Sequence, residues 1–143
     1  MQSNREVCFS AMYVAMIGLT HPHAAMYLET LDQLDEVDRV TLFDPDETIG
    51  HEIAARYPKA DGVFANLDAV LARTDVTHAV VAVRTDQSVS ALVQLIGAGK
   101  SVFAEKPTAR TAAEFQDVLT VLKHHPAPFG VAYLSRWHPA IHQ

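Results

Sequence analysis

The most chemically suggestive residue is a lysine that follows a short apolar run. Lys106 stands between Glu105 and Pro107, directly after the run that ends at Ala104. Burial lowers the pKa of a lysine and a neighbouring carboxylate raises it, so this lysine could be tuned for proton transfer or hydrogen bonding. The competing interpretation is a Glu–Lys pair that faces water. Lys106 is therefore the candidate catalytic residue, with both interpretations open.

A second candidate is the segment 18–23, Gly-Leu-Thr-His-Pro-His, which separates an apolar run from an amphipathic stretch. Against the dinucleotide-binding template GxGxxG only Gly18 matches, and Thr20 and His23 replace the other two glycines. Exposed amides at a helix start still favour an anion, and the Thr20 hydroxyl could donate to a phosphate oxygen. We therefore expect this turn, including His21, to contact a nucleotide. An ordinary strand-to-helix connection is the alternative.

A third candidate is Asp44, which ends the second predicted strand, twenty-six residues after Gly18. A carboxylate there binds the ribose hydroxyls of NAD and repels the extra phosphate of NADP. It favours NAD as the cofactor, with NADP the weaker candidate. Arg84 would alter that preference if it reached the adenosine phosphate, but its position after the fourth strand disfavours this. The alternative is that Asp44, Pro45 and Asp46 only form a polar turn and cap a helix.

Other chemistries have little support. His21 and His23 flank one residue of a turn, so their side chains diverge, and with Asp44 they make a poor metal site. We expect no metal. Cys8 precedes the first strand, and no serine stands in a nucleophile elbow, so covalent catalysis has no candidate.

The elements that must position these residues alternate between short apolar runs and amphipathic stretches, which is typical of a parallel sheet wrapped by helices. We predict an α/β fold with a doubly wound, mostly parallel six-stranded sheet of order 3-2-1-4-5-6. Ligands bind such sheets outside the carboxyl ends of the strands. The predicted strands are 12–17, 39–43, 62–64, 78–83, 102–104 and 129–134, and the predicted helices are 22–34, 49–57, 67–72, 88–98 and 111–124.

Composition restricts the function classes. The chain has 143 residues, the size of one domain, and a net charge of -6, which gives no positive field to attract nucleic acid or anionic lipid. A single cysteine cannot form an internal disulfide, so we expect a reducing compartment, the cytoplasm. The apolar run 7–19 has the length of a signal-peptide core, but we interpret it as a buried strand, too short to span a membrane.

The segment that contains Lys106 is similar to a motif of a known protein family. Residues 97–107 read GAGKSVFAEKP, which resembles the AGKHVxxEKP segment of the Gfo/Idh/MocA oxidoreductases. The resemblance covers nearly the whole chain after Met12. The other similar positions are residues 75–83, against the family's dVDaVvvaT strand, Asp44, against its second-strand acid, and Arg136, Trp137 and Pro139, against its RFxP-like stretch.

This resemblance implies a Rossmann nucleotide-binding domain, which in the family precedes a larger α/β domain that binds sugar, inositol or related polyols. It implies hydride transfer to or from NAD(P), with Lys106 near the nicotinamide and substrate and with Glu105 and Pro107 shaping its loop. We therefore expect residues 1–11 to be an N-terminal extension, 12–135 the dinucleotide-binding domain, and 136–143 the start of a connection to an absent substrate domain.

The chain departs from the family pattern in two segments. The glycine-rich turn keeps only Gly18, and the family's TPNxxH segment reads VRTDQS, with Arg84 and Ser88 replacing a proline and a histidine of the nicotinamide pocket. Val83, Arg84 and Thr85 of this segment are nevertheless expected to bind the cofactor.

The sequence thus predicts the nucleotide-binding domain of an NAD-dependent oxidoreductase that acts on a sugar, inositol or related polyol and is inactive as an isolated chain. Its expected partner is a small-molecule substrate held by the missing domain, with self-association into a homo-oligomer also expected. The alternative is a non-catalytic Rossmann module that senses a nucleotide or binds a protein partner.

Overall fold

A computed structural model describes residues 12–141, and the predicted extension 1–11 lies outside the described residues. Two short 3-10 turns, Leu134–Trp137 and Pro139–Ile141, follow the last strand. The strands are β1 (Met12–Ile17), β2 (Val37–Phe43), β3 (Ala60–Phe64), β4 (His78–Val81), β5 (Ser101–Ala104) and β6 (Phe129–Val131), and the helices are α1 (Ala24–Gln33), α2 (Glu47–Ala54), α3 (Leu67–Leu71), α4 (Thr85–Gly97) and α5 (Ala112–His124).

The six strands form one parallel sheet in the order β3-β2-β1-β4-β5-β6, which confirms the predicted doubly wound topology. One face packs against α1 and α2, and the other packs against α3, α4 and α5. Because both faces of β1 are covered, Ala15, Met16 and Ile17 are fully buried. The winding reverses between β1 and β4, so the carboxyl ends of these two strands border a crevice.

Some element boundaries differ from the sequence prediction. Helix α4 begins at Thr85, three residues earlier than predicted, because its first turn is polar and gives no apolar periodicity to detect. Helix α1 ends at Gln33 rather than at Leu34, and Leu34 is 43% exposed. Strand β6 ends at Val131 rather than at Leu134, which begins a 3-10 turn.

Side chains cap the starts of α3 and α5, and the capping box of α5 is shifted by one residue. The Thr111 hydroxyl accepts a hydrogen bond from the backbone N–H of Glu114, at 3.1 Å, as expected for a capping box. The Glu114 carboxylate, however, accepts from the backbone N–H of Arg110, at 3.0 Å, one residue before the cap. Asn66 caps α3, accepting from the Asp68 N–H at 2.9 Å.

The connection from α4 to β5 fixes the start of the strand that carries Lys106. Gly99, the predicted helix stop, has a φ of +75°, and the N–H groups of Gly99 and Lys100 donate to Ile96 and Leu95 in a Schellman motif. The buried Lys100 ammonium donates to the carbonyls of Arg73 and Val76, both at 2.7 Å. These bonds tie the start of β5 to the loop before β4.

Candidate functional site

A cleft of about 570 Å³ opens where β1, β2 and β4 end at the same edge of the sheet. Its apolar wall includes Ile17, Leu67 and Ala91, from β1, α3 and α4. Six of the predicted cofactor-binding residues line it: Gly18, Thr20, His21, Asp44, Val83 and Arg84. The other five do not: His23, Thr85, Glu105, Lys106 and Pro107.

Gly18 lets the ends of β1 and β4 approach closely. Its φ is +90°, and a Cβ at this position would lie 2.4 Å from the Ala82 carbonyl oxygen and 2.8 Å from Val83 Cγ1. Its own N–H donates to the Phe43 carbonyl at the end of β2, at 2.9 Å. The first glycine of the template is therefore required here by both backbone conformation and packing.

Asp44 is 5% exposed and links the residues that follow β1 to those that follow β2. Its Oδ2 accepts from the backbone N–H of Leu19 at 3.1 Å, and its Oδ1 accepts from that of Asp46, also at 3.1 Å. Helix α2 is capped by Asp46, which accepts from the Thr48 N–H at 2.9 Å. Asp44 is therefore not the cap, and each of its oxygens retains a lone pair for a further donor.

A second polar group, which we call the Glu105 cluster (His23, Tyr27, Glu105 and Lys106), joins the β1–α1 turn to the end of β5. The Glu105 side chain is 3% exposed and accepts hydrogen bonds from Tyr27 Oη, from His23 Nδ1 at 3.0 Å and from the Lys106 backbone N–H at 2.9 Å. Burial raises the pKa of Glu105, but these donors outweigh it and hold the pKa below its usual value. Burial and the Glu105 acceptor raise the pKa of Tyr27.

The Lys106 ammonium lies at the edge of this cluster, 3.8 Å from Glu105 Oε1, and its side chain is half-exposed. The Lys106–Pro107 peptide bond is cis. Lys106 thus faces water in part, whereas its neighbour Glu105 does not. Lys106 follows β5, the strand beyond β4, so it lies to one side of the cleft that contains Asp44.

His21 lies between the cleft and the Glu105 cluster. Its Nδ1 accepts a hydrogen bond from the backbone N–H of His23 at 3.1 Å, which requires an unprotonated nitrogen. Burial lowers the pKa of His21, the charges of His23 and Lys106 lower it further, and Glu105 opposes them. The turn therefore presents a neutral imidazole to the cleft near pH 7.

Sequence reasoning did not connect Tyr27 with Glu105, which lies 78 residues away. The spacing of apolar residues in the predicted helix 22–34 marks Tyr27 only as a member of its buried face. A buried tyrosine hydroxyl needs a partner, and a strand-end carboxylate is a suitable one, so this signal was present in the sequence.

No group of three or more His, Cys, Asp or Glu side chains among residues 12–141 is arranged to hold a metal ion. None of the helices described combines the length and the apolar character that crossing a bilayer requires.

A parallel sheet of this order, with a cleft at its switch point, defines the class of dinucleotide-binding Rossmann domains. Residues 12–133 match the family model described as an oxidoreductase family with an NAD-binding Rossmann fold. The chain therefore belongs to the Gfo/Idh/MocA oxidoreductases. No curated protein matches it.

Solved structures give the same fold. The chain is 25% identical to a protein from Desulfitobacterium hafniense DCB-2 provisionally assigned as an NADPH-dependent oxidoreductase; the match covers 94% of this chain and 38% of that one, with a TM-score of 0.83. It is 25% identical to GenD2 from gentamicin A biosynthesis, solved in complex with NAD, over 85% of this chain and 34% of that one, with a TM-score of 0.77. For myo-inositol 2-dehydrogenase from Lactobacillus plantarum, the identity is 18%, the coverage is 91% and 38%, and the TM-score is 0.81. The chain thus spans little more than a third of these proteins.

Proposed function

We propose that this chain binds NAD in the cleft between β1, β2 and β4, as the coenzyme-binding part of an oxidoreductase. The observation that carries the proposal is the buried Asp44 carboxylate, which lines the cleft and is held in place by two backbone N–H groups. A carboxylate in this position suits the paired hydroxyls of a ribose.

The cleft fits the adenosine half of a dinucleotide. Its volume of about 570 Å³ is within the usual range for small-molecule sites. Ile17, Leu67 and Ala91 would contact the apolar faces of the adenine, and Asp44 would accept from the ribose hydroxyls. Gly18 allows the tight turn from β1 to α1 at the edge of the cleft, which the pyrophosphate would cross.

The same carboxylate supports NAD over NADP. A phosphate on the ribose 2′ oxygen would bring negative charge against Asp44, whose burial reduces screening by solvent. Among the similar proteins, GenD2 was solved with NAD and the Desulfitobacterium protein is assigned to NADPH, so the preference for NAD rests on Asp44 itself.

We propose Lys106 as the catalytic residue. Bound NAD supplies a hydride acceptor. The Lys106 side chain would hydrogen-bond the substrate oxygen, take its proton as the neutral amine when the alcohol is oxidised, and return it as the ammonium in the reverse direction. Glu105 holds the Lys106 backbone through its 2.9 Å hydrogen bond, which fixes the position of the lysine. Tyr27 and His23 in turn fix the Glu105 carboxylate.

The substrate we propose is a sugar, inositol or related polyol, acted on at a CH–OH group. Its support is the family and the likeness to an inositol dehydrogenase. Because the chain spans only about 38% of that relative, we expect a separate region to hold the substrate and the isolated chain to lack turnover. A cytoplasmic location and a homo-oligomer belong to the same proposal, with neither nucleic acid nor membrane as a partner.

The alternative, a non-catalytic module that senses a nucleotide, is favoured by one observation. Lys106 does not line the cleft, and its side chain is half-exposed. Polyol-dependent reduction of NAD by a longer protein that includes this chain would exclude this alternative. Tight NAD binding without any such reduction would support it.

The direct test of the proposal is titration of the 143-residue chain with NADH, followed by nicotinamide fluorescence. We expect saturable binding, weaker binding of NADPH, and about tenfold weaker binding of NADH by Asp44→Asn. The matched control is Asp46→Asn, which keeps a good helix cap and does not line the cleft, and should change the affinity less than about twofold. The absence of saturable binding at millimolar NADH would refute the proposal, and tighter binding of NADPH would reverse the cofactor preference.

A further inference from the structure

We propose that Arg84 binds the pyrophosphate of the dinucleotide and replaces contacts that a glycine-rich turn would make. This inference rests on the proposed function, because it assumes that the cleft takes an adenine dinucleotide. It adds a phosphate-binding side chain to the site, and it assigns Arg84 to the pyrophosphate rather than to the 2′-phosphate of NADP.

The position of Arg84 follows from the order of the strands. Ile17 of β1 pairs with Val81 of β4, and the absent Cβ of Gly18 would lie 2.8 Å from Val83 Cγ1, so the β1–α1 turn is next to the residue that precedes Arg84. Asp44 lies on the other side of β1, at the end of β2. With strands about 4.8 Å apart, Arg84 is nearer to the turn that the pyrophosphate crosses than to the ribose site at Asp44.

The charges in the cleft give the second argument. Of the described residues that line the cleft, Arg84 is the only lysine or arginine, and two carboxylates, Asp44 and Asp86, line it as well. His21 is held neutral by its acceptor role. Without Arg84 the cleft would present only negative charge to a ligand that carries a diphosphate, within a chain of net charge -6.

Arg84 is free to turn toward a ligand. Its side chain is 79% exposed and pairs with Asp86, with Nε 3.1 Å from Oδ1 and Nη2 3.3 Å from Oδ2. An exposed ion pair of this kind stabilises a protein very little, so exchanging Asp86 for a phosphate costs little. A guanidinium can bind phosphate through two parallel hydrogen bonds, which makes the exchange favourable.

The turn itself explains why an arginine would be needed. Thr20 stands where the template has the glycine that lets the backbone approach the pyrophosphate, and His23 stands where it has the glycine that lets helix and strand pack closely. The His23 ring is directed to Glu105 and away from a role as a phosphate donor. Arg84 supplies the missing attraction from the opposite wall of the cleft.

The test compares ligands that differ only in their phosphates. Calorimetric titrations of the 143-residue chain would use adenosine, 5′-AMP, ADP and 2′-AMP, with NADH as the reference ligand. Arg84→Ala is compared with Arg56→Ala, which removes the same charge from an exposed position that does not line the cleft. Asp86→Asn is the third variant, because it frees the Arg84 side chain.

We expect the unaltered chain to bind ADP about tenfold more tightly than adenosine, and Arg84→Ala to lose most of that preference while binding adenosine as before. Arg56→Ala should keep the preference. Asp86→Asn should tighten ADP binding by more in the unaltered background than in the Arg84→Ala background, where no guanidinium is released.

Two results would overturn the inference while leaving NAD binding intact. One is an unchanged preference for ADP in Arg84→Ala. The other is a loss confined to 2′-AMP, which would assign Arg84 to the 2′-phosphate of NADP. Failure of the unaltered chain to bind NADH at all would instead refute the proposed function, and this inference with it.

Discussion

The cleft and the Glu105 cluster differ in how their buried carboxylates are satisfied. Asp44 accepts two backbone N–H groups and faces a cavity, whereas Glu105 accepts from three donors, two of them side chains, and lies inside the protein. The first arrangement leaves acceptor capacity directed at a ligand, and the second uses it to hold two loops together. The comparison indicates that the cleft binds a ligand, whereas the Glu105 cluster holds the two loops in position.

The largest loss of stability is expected from a side chain placed between the closely spaced ends of β1 and β4. Gly18→Ala should destabilise the chain by about 3 kcal/mol, because it combines a left-handed backbone with a methyl group 2.4 Å from the Ala82 oxygen. Gly99→Ala is the matched control: its φ is also positive, but no atom lies within 4 Å of the new methyl, so about 1 kcal/mol is expected. Urea denaturation measures both, and equal losses would show that crowding at Gly18 is unimportant.

The second-largest loss of stability is expected when the Glu105 cluster is disrupted. Glu105→Gln should cost about 2 kcal/mol, since it removes a buried charge that accepts three hydrogen bonds and leaves an amide that cannot accept all of them. Glu29→Gln, at an exposed position on α1, should change stability by less than about 0.5 kcal/mol. A Glu105→Gln chain as stable as the unaltered one would mean that the cluster does not hold the two loops.

A smaller loss is expected from one donor of the cluster. Tyr27→Phe keeps the ring in the core but removes the hydroxyl, while His23 and the Lys106 N–H still serve Glu105, so about 1 kcal/mol should be lost. Tyr133→Phe, with a side chain that is largely exposed, is the control and should be near neutral. If the two substitutions have the same effect, the Tyr27 hydrogen bond contributes nothing to stability.

The smallest effect is a pH dependence of stability, with a His21 step nearest neutrality and an acid step that Glu105 shares with other carboxylates of lowered pKa, among them Asp61 and Glu114. The pKa of His21 lies below its usual 6.5 and that of Glu105 below its usual 4.5, so the unfolded chain binds more protons than the folded chain at each site. Both groups therefore stabilise the fold above those values and lose their contribution as the pH falls through the folded pKa. Denaturation curves from pH 7.5 to 3.5 should give falling stability, and His21→Asn should remove the step nearer neutrality; a rise in stability on acidification would contradict both assignments.

The sheet order was predictable because its strands are continuous apolar runs between polar turns, as in 12–17 and 78–81. The start of α4 was not, because Thr85, Asp86 and Gln87 have no apolar member to mark a helical face. Gly18 and Asp44 could be predicted as site residues because each directly follows a strand that is recognisable in the sequence. The contact of His23 with Glu105, across 82 residues, depends on which strands are adjacent and on where each one ends, which no local pattern contains.

The central claim is that an adenine dinucleotide occupies the cleft at Asp44, and amide NMR of the chain during titration with NAD tests it most directly. The Leu19 and Asp46 N–H groups donate to Asp44, so they report on its carboxylate. We predict saturable shifts of both signals, greatly reduced in Asp44→Asn. Unchanged Leu19 and Asp46 signals at saturating NAD would contradict the account, as would shifts confined to the groove between α4 and α5 that Val89, Val93 and Val121 line.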